Sequence, residues 1–377
     1  MDRKKKLLVT GLMLMISVGY AFSQEEETES EFNPIIVPTQ IVTSPTGDTT
    51  GTLINAEGQE ANIACNTGVA LYREGNYNEA INKFSFSISQ DPNLAQAYYG
   101  RGTCYMQLKR YNEAIKDLKE YTKRKEDNNA TYFIGYCYFL INEVDNAVTY
   151  FQNAIEQGCT NANLFYYMGV INFNKAQYDE AIKYYTKATD IDNNHAFAYN
   201  DRGSSYRMQE KYDKAIEDYK KACSLNSKID IFPANLGSAY RLNKNYQESL
   251  NAYEVALKIK SDNYVVINNK GITLYEMKEY DKAIEAFNAC LKIKKDYAYA
   301  FNNMGLCYYR KQDYSPAIEA FTKAIALNPD YAEAYVHRGS AKEMTRDMAG
   351  ACNDWEKAKE LGIQNLGDFE SFCDEYK

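Results

Sequence analysis

Only two imidazoles are available to this chain, His195 and His337, and they stand far apart in the sequence. A multi-histidine metal site is therefore excluded, and no cysteine–histidine spacing suggests a nucleophile with its base. Neither the Gly-Lys-Ser/Thr loop that cradles phosphates nor a Rossmann glycine run occurs. Aspartate and glutamate pairs are plentiful, but they fall on helix faces that periodicity turns toward solvent. The nine cysteines are odd in number and form no dense framework, so most read as core thiols. Cys104, Cys137 and Cys307 share one small apolar place, and Cys104 and Cys137 belong to the first helices of successive units, too far apart for a bridge. Cys352 and Cys373 differ: they lie ten residues before and eleven after Gly362. Helices folded back at that glycine would bring them to one level, because each residue adds about 1.5 Å, and the pair is a candidate disulfide. This inventory predicts no catalysis, no cofactor and no small-molecule substrate.

The elements that carry these residues follow from one period. Gly68, Gly102, Gly135, Gly169, Gly203, Gly237, Gly271, Gly305 and Gly339 recur at steps of 34, with one step of 33. Twelve residues after each stands Ala80, Ala114, Ala147, Ala181, Ala215, Ser249, Ala283, Ala317 or Ala351, and four further on a large residue such as Phe84, Tyr185, Phe321 or Trp355. A fixed repeat of this length marks a stacked array rather than a single globular core. Each unit splits into two amphipathic helices, Ala298 to Lys311 and Tyr314 to Leu327 in the clearest copy, joined by a Lys-Gln-Asp turn. The glycine and alanine are predicted to sit where the helices of a pair cross closely. Pro233 and Pro316 fall in first turns, where no backbone donor is lost, and Pro92 and Pro329 stop second helices. Tyr77, Tyr111, Tyr178, Tyr212, Tyr246, Tyr280 and Tyr314 open second helices, which accounts for many of the 35 tyrosines as packing residues.

The order aromatic, apolar, Gly, Tyr, Ala, Phe, Pro, carried by Phe301, Met304, Gly305, Tyr308, Ala317, Phe321 and Pro329, resembles the tetratricopeptide repeat. The resemblance covers residues 61–365 as nine copies: 61–94, 95–127, 128–161, 162–195, 196–229, 230–263, 264–297, 298–331 and 332–365. It implies an all-α solenoid, a right-handed superhelix of helix-turn-helix units, whose first helices line a groove that holds an extended peptide or a partner's helix. Nine copies would complete slightly more than one superhelical turn. On that reading the inward places of copies two to four give Tyr99, Tyr132, Phe133, Tyr136, Phe139, Tyr166, Tyr167 and Phe173. Copies five to eight give Asn200, Asp201, Asn235, Asn268, Asn269, Asn302 and Asn303, with Arg207, Arg241 and Arg310. Amides can donate to and accept from a peptide backbone, arginines can hold a carboxylate, and aromatics can take apolar anchors. The family's carboxylate clamp is not matched, since Thr103, Ser204, Ser238 and Leu306 fill its second asparagine place. A chaperone C-terminal peptide is therefore not the expected ligand. The alternative is an accessory subunit that uses the convex face to hold a complex, or itself, together.

The ends read differently. Arg3 to Lys6, an apolar run from Leu7 to about Tyr20, and Ala21-Phe22-Ser23 predict a signal peptide over 1–23, cleaved before Gln24. Cleavage removes four basic residues and Asp2, taking the net charge from −8 to −11. Such an acidic chain is not a nucleic-acid binder, and membrane association is expected only through a partner. Residues 24–60, with Glu25, Glu26, Glu27, Glu29 and Glu31 followed by Pro, Thr and Ser, read as a disordered or extended linker. The stripe Ile363, Leu366, Phe369, Cys373, Tyr376 predicts a C-terminal capping helix over 366–377. The expected protein is an exported, periplasmic or envelope scaffold that binds proteins or peptides.

Overall fold

A computed structural model describes residues 56–364 and Cys373. The stretches predicted as signal peptide (1–23), nearly all of the predicted linker (24–60), and the predicted capping helix (366–377) apart from Cys373 lie outside the described residues. Among the latter there are eighteen α-helices and no strand. They fall into two compact units that divide between Asn193 and Asn194. The first unit holds α1 (Ala56–Arg73), α2 (Tyr77–Gln90), α3 (Ala95–Gln107), α4 (Tyr111–Thr122), α5 (Asn128–Leu140), α6 (Val144–Glu156), α7 (Ala162–Asn174) and α8 (Tyr178–Ile191). The second begins with α9 (Ala196–Met208), α10 (Tyr212–Leu225), α11 (Ile231–Leu242), α12 (Tyr246–Ile259) and α13 (Tyr264–Glu276). It continues with α14 (Tyr280–Ile293), α15 (Ala298–Arg310), α16 (Tyr314–Leu327), α17 (Ala332–Met344) and α18 (Met348–Glu360). Odd-numbered helices are first helices of a repeat and even-numbered ones second helices. Helix α1 starts at Ala56, inside the stretch read as linker, where Ala56, Glu57, Gln59 and Glu60 are all strong helix formers.

Every pair is closed by one residue in the left-handed conformation. Glycine supplies it once, at Gly75 (φ 78°), whereas Lys109, Asn142, Ala176, Glu210, Lys244, Lys278, Gln312 and Arg346 adopt it with φ between 57° and 67°. The turn is held by two backbone bonds, in copy four Ala176 N–H to Phe173 O and Gln177 N–H to Asn172 O, each 2.9 Å. These satisfy carbonyls that the helix end would leave bare. The tyrosine that opens the next helix then meets the last aromatic of the previous one edge-on: Tyr72–Tyr77 at 5.3 Å, Phe173–Tyr178 at 5.5 Å and Tyr309–Tyr314 at 5.6 Å between centroids. Such pairs fix the angle of the turn.

The small residues have a definite neighbour. A Cβ added at Gly271 or Gly305 would come within 2.6 Å of the ring of Phe287 or Phe321, sixteen residues ahead. Seven of the nine register glycines face a Phe or Tyr ring in this way, Gly339 faces Trp355, and Gly102 faces Leu118. The ring therefore lies flat on the glycine, and the crossing alanines, such as Ala283 and Ala317, are fully buried beside it. Where the ring bears a hydroxyl in copies five and six, a serine answers it: Ser204 meets Tyr219 at 3.0 Å and Ser238 meets Tyr253 at 3.1 Å. In copies seven and eight, where the ring is Phe287 or Phe321, Ile272 and Leu306 stand at the serine's place, and both are buried.

The last repeat is joined to the C-terminal segment by a disulfide between Cys352 and Cys373, with Cα atoms 5.5 Å apart. Around it Ala351, Trp355, Val336 and Ile363 form one apolar cluster. Gly362 (φ 102°) ends α18, and the Ile363 N–H bonds Ala358 O at 3.1 Å. The bond closes a loop of 21 residues, so its loss frees chain entropy in the unfolded state. Cys352→Ser is expected to destabilise the last repeat by about 3 kcal/mol. Emission from Trp355, the only tryptophan, reports that repeat directly in a thermal melt. An unchanged melt would mean the bond constrains nothing.

Candidate functional site

In the second unit the first helices are tied side to side through polar groups. Asn235 Nδ2 donates to Asn200 Oδ1 (3.0 Å), Asn303 Nδ2 to Asn268 Oδ1 (3.2 Å), and the His337 Nδ1–H to Asn302 Oδ1 (2.9 Å). Each partner is 35 residues away, one more than the repeat, so the bonds run diagonally from α9 to α11, α13 to α15 and α15 to α17. Asn200, Asn235, Asn268, Asn302 and Asn303 are all buried. Part of the amide capacity that the sequence offered to a peptide is thus used between helices. Asn200 also donates to Asp201 (2.8 Å).

The arginines follow the same diagonal. Arg241 donates to Glu276 (2.6 Å) and Arg310 Nε to the Tyr275 hydroxyl (2.9 Å). Burial pushes the Glu276 carboxyl up, against the downward pull of Arg241 beside it. Arg207 lies by the buried Tyr219 hydroxyl, which burial pushes up. Asn269 is different: it is half-buried, and its side-chain amide has no hydrogen bond to any described residue. With the exposed guanidinium of Arg310 it leaves donors and an acceptor on the first-helix row.

The aromatic set of the first unit divides. Tyr99, Tyr132, Phe133 and Phe139 are buried, whereas Tyr136, Tyr166, Tyr167 and Phe173 are half-buried. Tyr132 packs on Phe133 (5.1 Å), Tyr136 on Tyr167 (5.0 Å), Phe139 on Tyr167 (5.0 Å) and Tyr166 on Tyr167 (5.3 Å). Tyr99 rests against Tyr121 at 4.9 Å. The structure brings α5 and α7 together through these rings, and the half-buried members are the ones that solvent reaches in part.

The remaining reactive groups have structural partners. His195 caps α9, its Nδ1 accepting from the Ala198 N–H at 3.1 Å. Seven cysteines are free, six of them buried, and burial pushes the Cys65, Cys104, Cys290 and Cys307 thiols up to about 12, far from the thiolate a nucleophile needs. No group of three or more His, Cys, Asp or Glu able to hold a metal occurs among the described residues. One recurrent device went unread in the sequence. Arg101, Arg202 and Arg338, each just before a register glycine, form two-pronged pairs with Asp117, Asp218 and Asp354 sixteen residues on, at 2.6–2.9 Å. The signal was an Arg-Gly followed by an Asp just before the large residue, present in copies two, five and nine only.

His337 gives a pH dependence. Burial first, and the Arg310 charge second, hold its imidazole down at about 4. An unfolded histidine takes its proton near 6.5. Stability from the neutral ring is thus complete above about 6.5 and is lost as pH falls toward 4, with an upper bound of about 3 kcal/mol. Denaturant midpoints for the native chain and for His337→Gln, measured from pH 7 to 4, are expected to converge at the acid end. Parallel curves would show that His337 titrates normally.

Models described as tetratricopeptide repeat or TPR repeat match residues 71–135, 162–195, 196–228, 234–263, 271–312 and 298–331. Neutrophil cytosol factor 2 of Bos taurus is 45% identical over 58 residues, 15% of this chain and 11% of that protein. Mitochondrial import receptor subunit TOM34 of Homo sapiens is 35% identical over 65 residues, 17% of this chain and 21% of that protein. The matches therefore span a small part of these relatives. A solved tetratricopeptide repeat protein from Parabacteroides merdae superposes with a TM-score of 0.54 at 18% identity, covering 66% of this chain and 97% of that one, a likeness of fold.

Proposed function

We propose that this chain, which belongs to the tetratricopeptide repeat family, is a non-catalytic scaffold that binds an extended protein segment along its first helices. The observation that carries the reading is Asn269: a half-buried amide with no side-chain hydrogen bond to any described residue, in a row whose neighbouring amides are paired. Around it the diagonal bonds fix the spacing of the first helices, and a pre-set row costs little ordering on binding. Half-buried Tyr136, Tyr166 and Tyr167 offer aromatic faces for apolar anchors in the first unit. Nucleic acid and small-molecule substrates are not part of this reading, in keeping with the net charge of −8 and the structural use of the thiols and imidazoles.

The same reading places the mature chain in a periplasm or envelope after cleavage before Gln24. The Cys352–Cys373 disulfide supports it, since such bonds persist in oxidising compartments. An intact mass beginning at Gln24 is expected for the chain recovered from its native cell, and retained Met1 would refute export by cleavage.

A photo-crosslinking residue at Asn269 or Arg310 is expected to capture a discrete partner that the same residue at Glu285, on exposed second-helix surface, does not. The second reading, a complex-holding subunit, is favoured by the exposed Val255, Ile259, Ile293 and Leu327 of second helices. Capture from Glu285 alone would select it.

A further inference from the structure

Several arginines of the second unit spend their charge inside it. Arg202 and Arg338 grip Asp218 and Asp354 with two bonds each, and Arg241 donates to Glu276. Arg310, exposed in the last turn of α15, is placed differently. Its Nε donates to the Tyr275 hydroxyl of α13 at 2.9 Å, and neither of its terminal nitrogens bonds a described residue. Lys311 beside it pairs with Asp281 and Asp313. The Tyr309 hydroxyl is pushed up by burial first and by Glu343 next, and Arg310 pulls it down, so Glu343 of α17 lies across that hydroxyl. Glu343 forms no ion pair with Arg310. A guanidinium tied at Nε is oriented before any ligand arrives, and its outer edge matches the two oxygens of a carboxylate.

The surface next to this arginine is dry. Ile272, Tyr275, Phe287, Asn303 and Leu306 line a notch of about 140 Å³ between α13 and α15, too narrow for a water molecule. An apolar side chain that covers it therefore displaces no ordered water. In copies five and six the places of Ile272 and Leu306 hold Ser204 and Ser238, whose hydroxyls meet those of Tyr219 and Tyr253. Along α13, Asn269, Ile272 and Glu276 stand three and four residues apart on one stripe, and Tyr275 flanks its end. From Asn269 to Tyr275 the helix rises by about 9 Å, which an extended chain covers in about three residues. Side chains of an extended chain point the same way at every second residue, so one seated over the notch sets the residue two positions on toward Arg310. We propose that the face shared by α13 and α15 recognises an acidic side chain of the bound segment. Arg310 takes the carboxylate with its two terminal nitrogens, an aliphatic side chain two positions away covers the notch, and Asn269 meets the backbone. This rests on the first-helix reading above and gives its partner a chemistry: an acidic residue and an aliphatic one at alternate positions.

Fluorescence polarisation of a short peptide with the full chain tests the proposal. The probe Glu-Gly-Ile-Gly-Glu, with a dye on its N-terminus and an amide at its C-terminus, sets an acid on either side of the aliphatic residue, so chain direction does not matter. It is expected to bind about tenfold or more tightly than the matched Gln-Gly-Ile-Gly-Gln, as a hydrogen-bonded charge requires. That comparison is made on the native chain and needs no variant. Arg310→Gln, which gives up only the bond to the Tyr275 hydroxyl, is expected to abolish the ratio with an unchanged thermal melt. Arg346→Gln, at an exposed turn residue after α17, is expected to keep it. Equal binding of the acid and amide probes, an acid preference that survives Arg310→Gln, or no binding of either probe would overturn the inference. Photo-crosslinking from Asn269 reads the first-helix reading separately. Capture there alongside equal probes removes the acid recognition and leaves the scaffold, whereas capture from Glu285 alone removes both.

Discussion

Phe321→Ala is expected to lower the stability of its repeat by about 3–5 kcal/mol, among the largest effects of any single truncation in this array. The ring is fully buried on α16 and lies against the face of Gly305 on α15. Leu306, Ala317 and Ala341 complete the cluster around it, and the His337 ring from α17 stands 5.5 Å away. A glycine has no side chain with which to collapse into the vacated space, so the void stays open and the transfer and cavity terms add. The damage should also be local. Stability of a repeat array is a sum of units and nearest-neighbour contacts, so loss of the ring weakens copy eight and its interface with copy nine more than the distant copies. Hydrogen exchange is expected to speed up in α15, α16 and α17 while α9 and α10 keep their protection. Uniform acceleration over the second unit would mean that it unfolds as one block, and no acceleration would mean that the ring is replaceable.

That geometry explains why the fold could be read before the structure. A large side chain lying against the backbone leaves little or no room for Cβ, so each copy places a glycine there, and the register becomes visible as nine spaced glycines. The opening tyrosines show for a similar reason, since an edge-on partner waits at the end of the preceding helix. The left-handed turn residue was invisible by contrast. Lys109, Asn142, Ala176, Glu210 and Gln312 share no side-chain property, because only the backbone angle matters there and the paired turn hydrogen bonds impose it.

The candidate site was half legible. Residue types at inward places marked a polar row and an aromatic cluster, and both exist. What sequence could not tell is which groups face each other. An asparagine offered to a peptide and an asparagine bonded to its counterpart 35 residues on look alike in the sequence. Only the diagonal between neighbouring helices separates Asn235 and Asn303, which are paired, from Asn269, which is not. Tyr132 and Tyr136 similarly differ by one helical turn, yet the first is covered and the second half-open.

The Arg202–Asp218 pair is expected to give the other large effect, with a sign that depends on how it is broken. Two parallel bonds, 2.8 and 2.7 Å, join the guanidinium of α9 to the carboxylate of α10. Their side chains are 15% and 9% exposed, and Arg202 also lies over the Tyr199 ring at 5.2 Å. Burial pushes the Asp218 carboxyl up while Arg202 pulls it down, which is the competition between lost hydration and direct attraction that governs every buried ion pair. Asp218→Leu therefore leaves a largely covered arginine without the counter-charge of Asp218 and should cost up to about 3 kcal/mol. Replacing both partners, Arg202→Met with Asp218→Leu, removes the desolvation penalty along with the attraction and is expected to return to within about 1 kcal/mol of the native chain. Lys183→Ala, which breaks the exposed pair with Glu180, serves as the contrast and should leave the urea midpoint almost unchanged. Urea denaturation of the three variants decides the matter. If the double variant is as unstable as Asp218→Leu, the pair contributes geometry that apolar side chains cannot replace, and the recurrence of the device in copies two, five and nine would reflect register between the two helices rather than charge compensation.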